Sequence, residues 1–176
     1  MSHIRQATTD DAEVIDYIWR QRLDEDQPPN EESLNHFRKM LEEQDDVFQC
    51  WVLEEDGEIK GWGSVNPMRN SPALRNTMAE CSCYIARCER GKGFGKRFLE
   101  HIIEYAEQTP IEQLIWFSGK SNQKAQDNLR HCGLYPIAEI PPVEKAPDRD
   151  VIVIMARPVG KITPRDYAIN SMGEHQ

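Results

Sequence analysis

Between Arg87 and Phe98 the chain reads Arg-Cys-Glu-Arg-Gly-Lys-Gly-Phe-Gly-Lys-Arg-Phe, with glycines at 91, 93 and 95. Glycine has no Cβ, so alternate glycines let the main chain approach a ligand closely with its N–H groups turned outward. Where such a turn opens a helix, the unpaired N–H groups of the first turn and the helix dipole both attract an anion. Five bases (Arg87, Arg90, Lys92, Lys96 and Arg97) and one acid (Glu89) lie in this stretch, a local excess of four positive charges in a chain of net charge −9. The chemistry indicated is binding of a phosphate or pyrophosphate. The alternative is a glycine-rich helix entry whose bases are merely solvated.

The spacing narrows the ligand. Arg97 follows Lys96, so the Ser/Thr hydroxyl that holds Mg²⁺ in a nucleoside-triphosphate loop is missing, and counted from Gly93 the third glycine of a dinucleotide fingerprint is replaced by Phe98. Other chemistries have little support. Cys81 and Cys83 alternate on one strand face without C-x-x-C spacing, which reads as packing, and the five histidines (His3, His36, His101, His131, His175) show no paired ligand spacing. No metal is expected. Ser64 and Ser118 lack a nucleophile-elbow setting.

The elements that would position this turn follow from periodicity. His3 to Ala7 reads as a short strand, Thr8 with Asp11 has capping-box spacing, and Val14, Ile15, Ile18 and Trp19 recur at helical period. Pro28 and Pro29 break the chain, and a second helix begins near Asn30 with Leu34, Phe37, Met40 and Leu41 on one face. Val47 to Leu53 and Ile59 to Val65 flank an Asp56-Gly57 pair, a strong hairpin signal. A polar loop from Asn66 to Thr77 precedes a strand from Met78 to Arg87. The turn at Gly91 then opens a helix through Phe98, Leu99, Ile102, Ile103 and Ala106. Leu114 to Phe117 is a buried strand, Gln123 to His131 a helix closed by Gly133, and Leu134 to Ile140 and Val151 to Ala156 the last strands. This order predicts a mixed α/β sheet with helices on its faces, and a right-handed parallel crossover from Met78 to Phe117.

Composition sets the outer limits. At 176 residues and 39% apolar content the chain is expected to form one domain, residues 1–160, with a polar, poorly ordered tail at 161–176. No apolar run approaches the roughly 20 residues of a membrane span, and the N-terminus lacks the apolar stretch of a signal peptide. With 30 acids against 21 bases, neither nucleic acid nor an anionic membrane is an expected partner. An odd count of five cysteines without an export signal fits reduced thiols in the cytoplasm.

Three stretches carry a family likeness. Arg90-x-x-Gly93-x-Gly95, after a strand and before a helix, resembles the R/Q-x-x-G-x-G/A pyrophosphate loop of the GNAT superfamily of acetyl-CoA-dependent N-acetyltransferases. Asn122-Gln123-Lys124-Ala125, then Leu129 and Cys132-Gly133-Leu134, is similar to that family's downstream helix and strand. Leu74-Arg75-Asn76-Thr77-Met78-Ala79-Glu80 is similar, with one extra residue, to the F-R-H-T-x-E segment of the phosphinothricin and methionine sulfoximine acetyltransferases.

The resemblance implies a mostly antiparallel sheet of six to seven strands with a parallel β-α-β coenzyme unit. It implies that acetyl-CoA pairs through its pantetheine arm with the backbone of Cys83, Tyr84 and Ile85. Its pyrophosphate would lie on Gly91, Lys92, Gly93, Phe94, Gly95 and Lys96, and Arg90 and Asn122 would also contact the coenzyme. Glu80 stands where the sulfoximine-type enzymes place a general base; the alternative is a solvent-facing glutamate or one paired with Arg75. A strand amide around Ile85 would hold the oxyanion. The position that often carries a proton donor is Leu129 here, His131 reads as a surface residue, and Tyr105 and Tyr135 as packing, so the general acid is unassigned.

The resemblance implies that the acceptor is an amine. Leu23 to Asp46 carries nine acids and two bases, which would draw a cationic acceptor such as a polyamine, or simply be a solvated face. Arg75, with Arg69, could instead hold the carboxylate or phosphinate of an amino-acid analogue. The segment Pro141 to Asp148 departs from the family's acceptor-closing segment. The expected activity is acetyl transfer to a small primary amine, amino-acid-like or polyamine-like, in a homodimer paired through its C-terminal strands. The alternatives are a non-catalytic acetyl-CoA sensor and an acetyltransferase for protein N-termini or lysines.

Overall fold

Strands and helices follow one another in the order that the apolar periodicities predict: β1 (His3–Gln6), α1 (Ala12–Arg20), α2 (Glu31–Glu42), β2 (Cys50–Glu55), β3 (Glu58–Pro67), β4 (Met78–Ile85), α3 (Phe94–Ala106), β5 (Gln113–Gly119), α4 (Gln123–His131), β6 (Tyr135–Ile140) and β7 (Ile152–Pro158). These come from a computed structural model that describes residues 1–22, 28–68, 72–144, 147 and 149–160. Arg69, the acids at 24–26 and the tail 161–176 lie outside the described residues. The strands form one seven-stranded mixed sheet in the order β1-β2-β3-β4-β5-β7-β6. β1–β2, β2–β3, β5–β7 and β6–β7 pair antiparallel, and β4–β5 pairs parallel from Met78↔Gln113 to Cys81↔Trp116.

The chain divides into two compact units, Met1–Asn66 with Ser82–Ile102, and Pro67–Cys81 with Ile103–Gln176. In the first, Asp56 (φ 54°) and Gly57 (φ 79°) are both left-handed, the geometry of a type I′ turn, and Glu55 pairs with Glu58 across it. β2 begins at Cys50 rather than at Val47 because the Asp45 carboxylate accepts the N–H groups of Val47 (2.8 Å) and Phe48 (2.7 Å), folding that stretch into a turn. Ala12, Ile15, Ile18, Phe37, Leu41, Val52 and Trp62 make one apolar cluster from α1, α2 and the sheet. Phe37 lies edge-on to both Trp19 (5.6 Å) and Trp62 (5.5 Å), and Trp62 stacks on Tyr84 (4.9 Å).

Two buried carboxylates organise the same unit. Asp11 receives both Nη groups of Arg5 at 2.9 Å and the N–H of Thr8 at 2.8 Å, so the capping-box spacing closes through the acid. Asp16 receives Arg20 Nε at 2.8 Å and the Ser33 hydroxyl at 2.5 Å, joining α1 to the start of α2. Asn30 caps α2 by accepting the N–H of Glu32 at 2.8 Å. Gly61 and Gly63 lie where β3 is approached closely. A Cβ on Gly61 would stand 2.8 Å from the Tyr84 carbonyl oxygen, and one on Gly63 3.0 Å from Phe98 Cδ1.

In the second unit, Ala79, Cys81, Leu114, Ile115, Trp116, Leu129, Leu134, Val153, Met155 and Ala156 are buried. α4 ends as its sequence predicts, with Gly133 left-handed (φ 83°) and the Leu134 N–H returned to the Leu129 carbonyl. Asp150 clamps the turn between β5 and α4: its Oδ2 accepts the Ser121 N–H (2.9 Å) and hydroxyl (2.7 Å), which holds its pKa below the usual carboxylate value. Gly119 leaves the room for that carboxylate, since a Cβ there would lie 2.6 Å from Asp150 Oδ2.

Candidate active site

The strand β4 stops at Ile85 rather than at Arg87 because the Arg87 N–H leaves the ladder. Ala86 N–H still pairs with the Lys60 carbonyl (2.9 Å), but Arg87 N–H goes to Gln21 Oε1 (2.8 Å), and a single 3-10 turn follows over Arg87–Glu89. Gly91 (φ 87°) and Gly93 (φ 88°) are left-handed, a backbone conformation that costs any L side chain roughly 1–2 kcal/mol. The first bond of α3 runs from Arg97 N–H to the Gly93 carbonyl (3.2 Å), which leaves the N–H groups of Phe94, Gly95 and Lys96 as the donors of the helix N-terminus. A Cβ on Gly93 would meet nothing within 4 Å, so the space before these donors is open. The turn therefore has the left-handed glycines and helix-terminal donors that the glycine spacing predicts.

Arg90, Lys92, Lys96 and Arg97 make contacts within the protein. Arg90 turns inward, donating from Nη2 to the Gln21 carbonyl (2.7 Å) and from Nε to the Ile85 carbonyl (3.3 Å). Arg97 binds the Ser2 hydroxyl (2.5 Å) and carbonyl (2.8 Å). Lys92 pairs with Glu89 (2.5 Å), which also faces Lys60 (3.4 Å), and Lys96 lies 3.6 Å from Glu100. Much of the positive charge counted from the sequence is therefore engaged in contacts around the turn. Gln21 was missed by sequence reading, since a glutamine after a helix carries no motif.

Glu80 is half-buried on β4, and no partner for its carboxylate occurs among the described residues. Burial alone raises its pKa above the usual glutamate value. The alternative pairing with Arg75 is not formed: Arg75 Nη1 donates to Asn76 Oδ1 at 3.3 Å. Cys83, Tyr84 and Ile85 are each partly buried. Burial pushes the Cys83 thiol up to about 12 and the Cys81 thiol up as well, so neither is a thiolate nucleophile near neutral pH.

Asn122 is exposed and caps α4, its Oδ1 accepting the Ala125 N–H at 3.2 Å. That contact engages Oδ1 of the amide. Leu129 is buried at 3% exposure and serves packing. His131 is exposed with Nδ1 2.7 Å from the Asp127 carbonyl oxygen, the surface role expected of it. No cluster of His, Cys, Asp or Glu suited to a metal ion occurs among the described residues.

The model of the acetyltransferase (GNAT) family matches residues 12–134, from the start of α1 to the strand after α4. The chain belongs to the GNAT acetyltransferase family. It is similar to L-amino acid N-acyltransferase MnaT of Escherichia coli (strain K12), 26% identical over 96 residues. That match covers 54% of this chain and 55% of the relative, so it spans about half the length of that protein. Among solved structures, the phosphinothricin acetyltransferase of Sinorhizobium meliloti in complex with acetyl-CoA superposes with a TM-score of 0.75 at 22% identity, covering 91% of this chain and 89% of that one. The yncA protein of Salmonella typhimurium, solved with its cofactor acetyl-CoA, gives 0.76 at 19% identity, with 92% and 95% covered. These likenesses establish the GNAT fold: a seven-stranded, mostly antiparallel sheet with its parallel pair at β4–β5.

Proposed function

We propose that the protein transfers the acetyl group of acetyl-CoA to the primary amine of a small, amino-acid-like or polyamine-like molecule by direct attack. The observation that carries this reading is the donor cradle of Gly91 to Lys96 at the end of β4, in a chain of the GNAT family. Acetyl-CoA supplies the activated thioester. The exposed N–H groups of Phe94, Gly95 and Lys96 receive the pyrophosphate, and the backbone of Cys83, Tyr84 and Ile85 pairs with the pantetheine arm. The Asn122 NH₂ group, left over once its Oδ1 caps α4, is a further donor.

For the chemistry, the amine nitrogen forms a bond to the carbonyl carbon while its proton passes to Glu80, directly or through a water. An N–H near Ile85 stabilises the oxyanion. The C–S bond then breaks, and the thiolate takes a proton from water, since Leu129 offers none. A partly buried Glu80 without a cationic partner suits a base, because its raised pKa makes it a stronger proton acceptor. The high pKa of Cys83 argues for direct transfer rather than an acyl-enzyme.

The reading is tested by thiol release from acetyl-CoA over a panel holding phosphinothricin, methionine sulfoximine, ordinary amino acids, polyamines, an aminoglycoside and short peptides. Turnover of an amino-acid-like or polyamine-like amine supports it. Turnover of peptides alone would make the protein a protein acetyltransferase. Binding of acetyl-CoA with no turnover would favour the sensor reading, to which Leu129 at the donor position lends its one observation. We place the protein in the cytoplasm, as a homodimer paired through its C-terminal strands.

A further inference from the structure

We infer that Gln21, which no family motif marks, is a positioning residue for the anion cradle and ties it to the end of α1. The inference rests on the coenzyme reading above. Gln21 is 7% exposed and closes α1, its own N–H bonded to the Ile18 carbonyl at 3.2 Å. Its two oxygens reach both sides of the 3-10 turn that leads into Gly91. The side-chain Oε1 accepts the Arg87 N–H at 2.8 Å, and the main-chain oxygen accepts Arg90 Nη2 at 2.7 Å. Arg90 in turn holds the Ile85 carbonyl at 3.3 Å, which closes a loop of contacts from α1 through the cradle to the end of β4.

The Arg87 N–H is the first donor to leave the β ladder, and a main-chain donor that leaves it must find another acceptor. Without Oε1 that N–H passes from Gln21 to solvent, since Arg87 is exposed, and the tie between the 3-10 turn and α1 is lost. That tie matters because three helix-terminal N–H groups bind one anion only while they point at one place. Gln21 therefore touches no coenzyme atom and acts through Arg87 and Arg90.

The test uses the full chain with Gln21→Met, which keeps length and apolar bulk but removes the acceptor, and Gln21→Glu, which keeps an oxygen. Calorimetry measures Kd for CoA, and steady-state kinetics separate KM for acetyl-CoA from kcat. The Met variant is expected to weaken CoA binding about tenfold and raise KM by a similar factor, with kcat within about threefold of the parent. The Glu variant is expected to stay within about threefold in both. A Met variant that binds CoA like the parent overturns the inference. So does equal weakening in both variants, which would mark a packing role, and so does a loss confined to kcat. A parent protein that binds no CoA overturns the coenzyme reading itself, and the two failures are therefore distinct.

Discussion

Gly93 and Gly95 lie two residues apart, yet the structure asks different things of them. Gly93 is left-handed at φ 88°, whereas Gly95 is in the first turn of α3, where a Cβ would lie 3.9 Å from Ile85 Cγ1, an ordinary contact. This explains physically why the loop pattern demands glycine at the first position and accepts alanine at the second. Gly93→Ala is expected to raise KM for acetyl-CoA about tenfold, reflecting roughly 1–2 kcal/mol of backbone strain, while Gly95→Ala leaves it within about twofold. Initial-rate kinetics on the two variants check this. Cys83 tests the direct mechanism at the same scale. With its thiol at about 12, Cys83→Ala should keep kcat within about threefold, and intact-mass spectra of the parent with acetyl-CoA alone should show no acetylated enzyme. The glycines were legible in the sequence because their spacing is local. The inward turn of Arg90 was not, because its partner Gln21 is 69 residues away.

At the scale of elements, helices and turns whose signals are local were read closely. The Asp56-Gly57 hairpin, the Asn30 cap and the Gly133 stop each follow from one or two residues. Strand ends were read less well, since whether Val47 or Arg87 pairs in a ladder depends on Asp45 and Gln21 competing for their N–H groups. The close approach at Gly61 and Gly63 also depends on residues distant in sequence. Gly61→Ala should destabilise by roughly 1–3 kcal/mol, because its Cβ meets backbone that cannot rotate away, and denaturant unfolding measures it. The Arg5–Asp11 pair gives a pH prediction. Arg5 holds the Asp11 carboxyl below its ordinary value, so the stabilisation is fully present above the unfolded carboxylate pKa of 3.8 and is lost as pH falls through the lower folded value. Asp11→Asn should therefore cost about 2 kcal/mol at pH 7 and progressively less as the pH is taken below 3.8, as followed by urea midpoints.

For the whole molecule, β6 closes one edge of the sheet and exposes Ile137 (52%) and Ile140 (42%), with Val143 (58%) just beyond it. Among the described residues no strand lies beyond β6, and an edge bearing apolar side chains favours association, so the proposed homodimer would use it. Ile137→Lys is expected to shift the mass found by light scattering from dimer to monomer; a parent that is already monomeric contradicts this pairing. The order of elements was legible from end to end because each is short and strongly patterned. The acceptor was not, because Arg75 and the acids of α2 are selective only through the groups they face in three dimensions. The most direct measurement is the rate and acetyl-CoA affinity of Glu80→Gln against the parent from pH 6 to 9. As the proposed base, Glu80 would have to lose its proton to act, and burial raises its pKa, so parent activity should show an acid limb above the usual glutamate range. The Gln variant should bind acetyl-CoA as the parent does, lose about 100-fold or more in kcat, and lack that limb. A Gln variant that keeps the parent's rate across this range would contradict direct transfer assisted by Glu80.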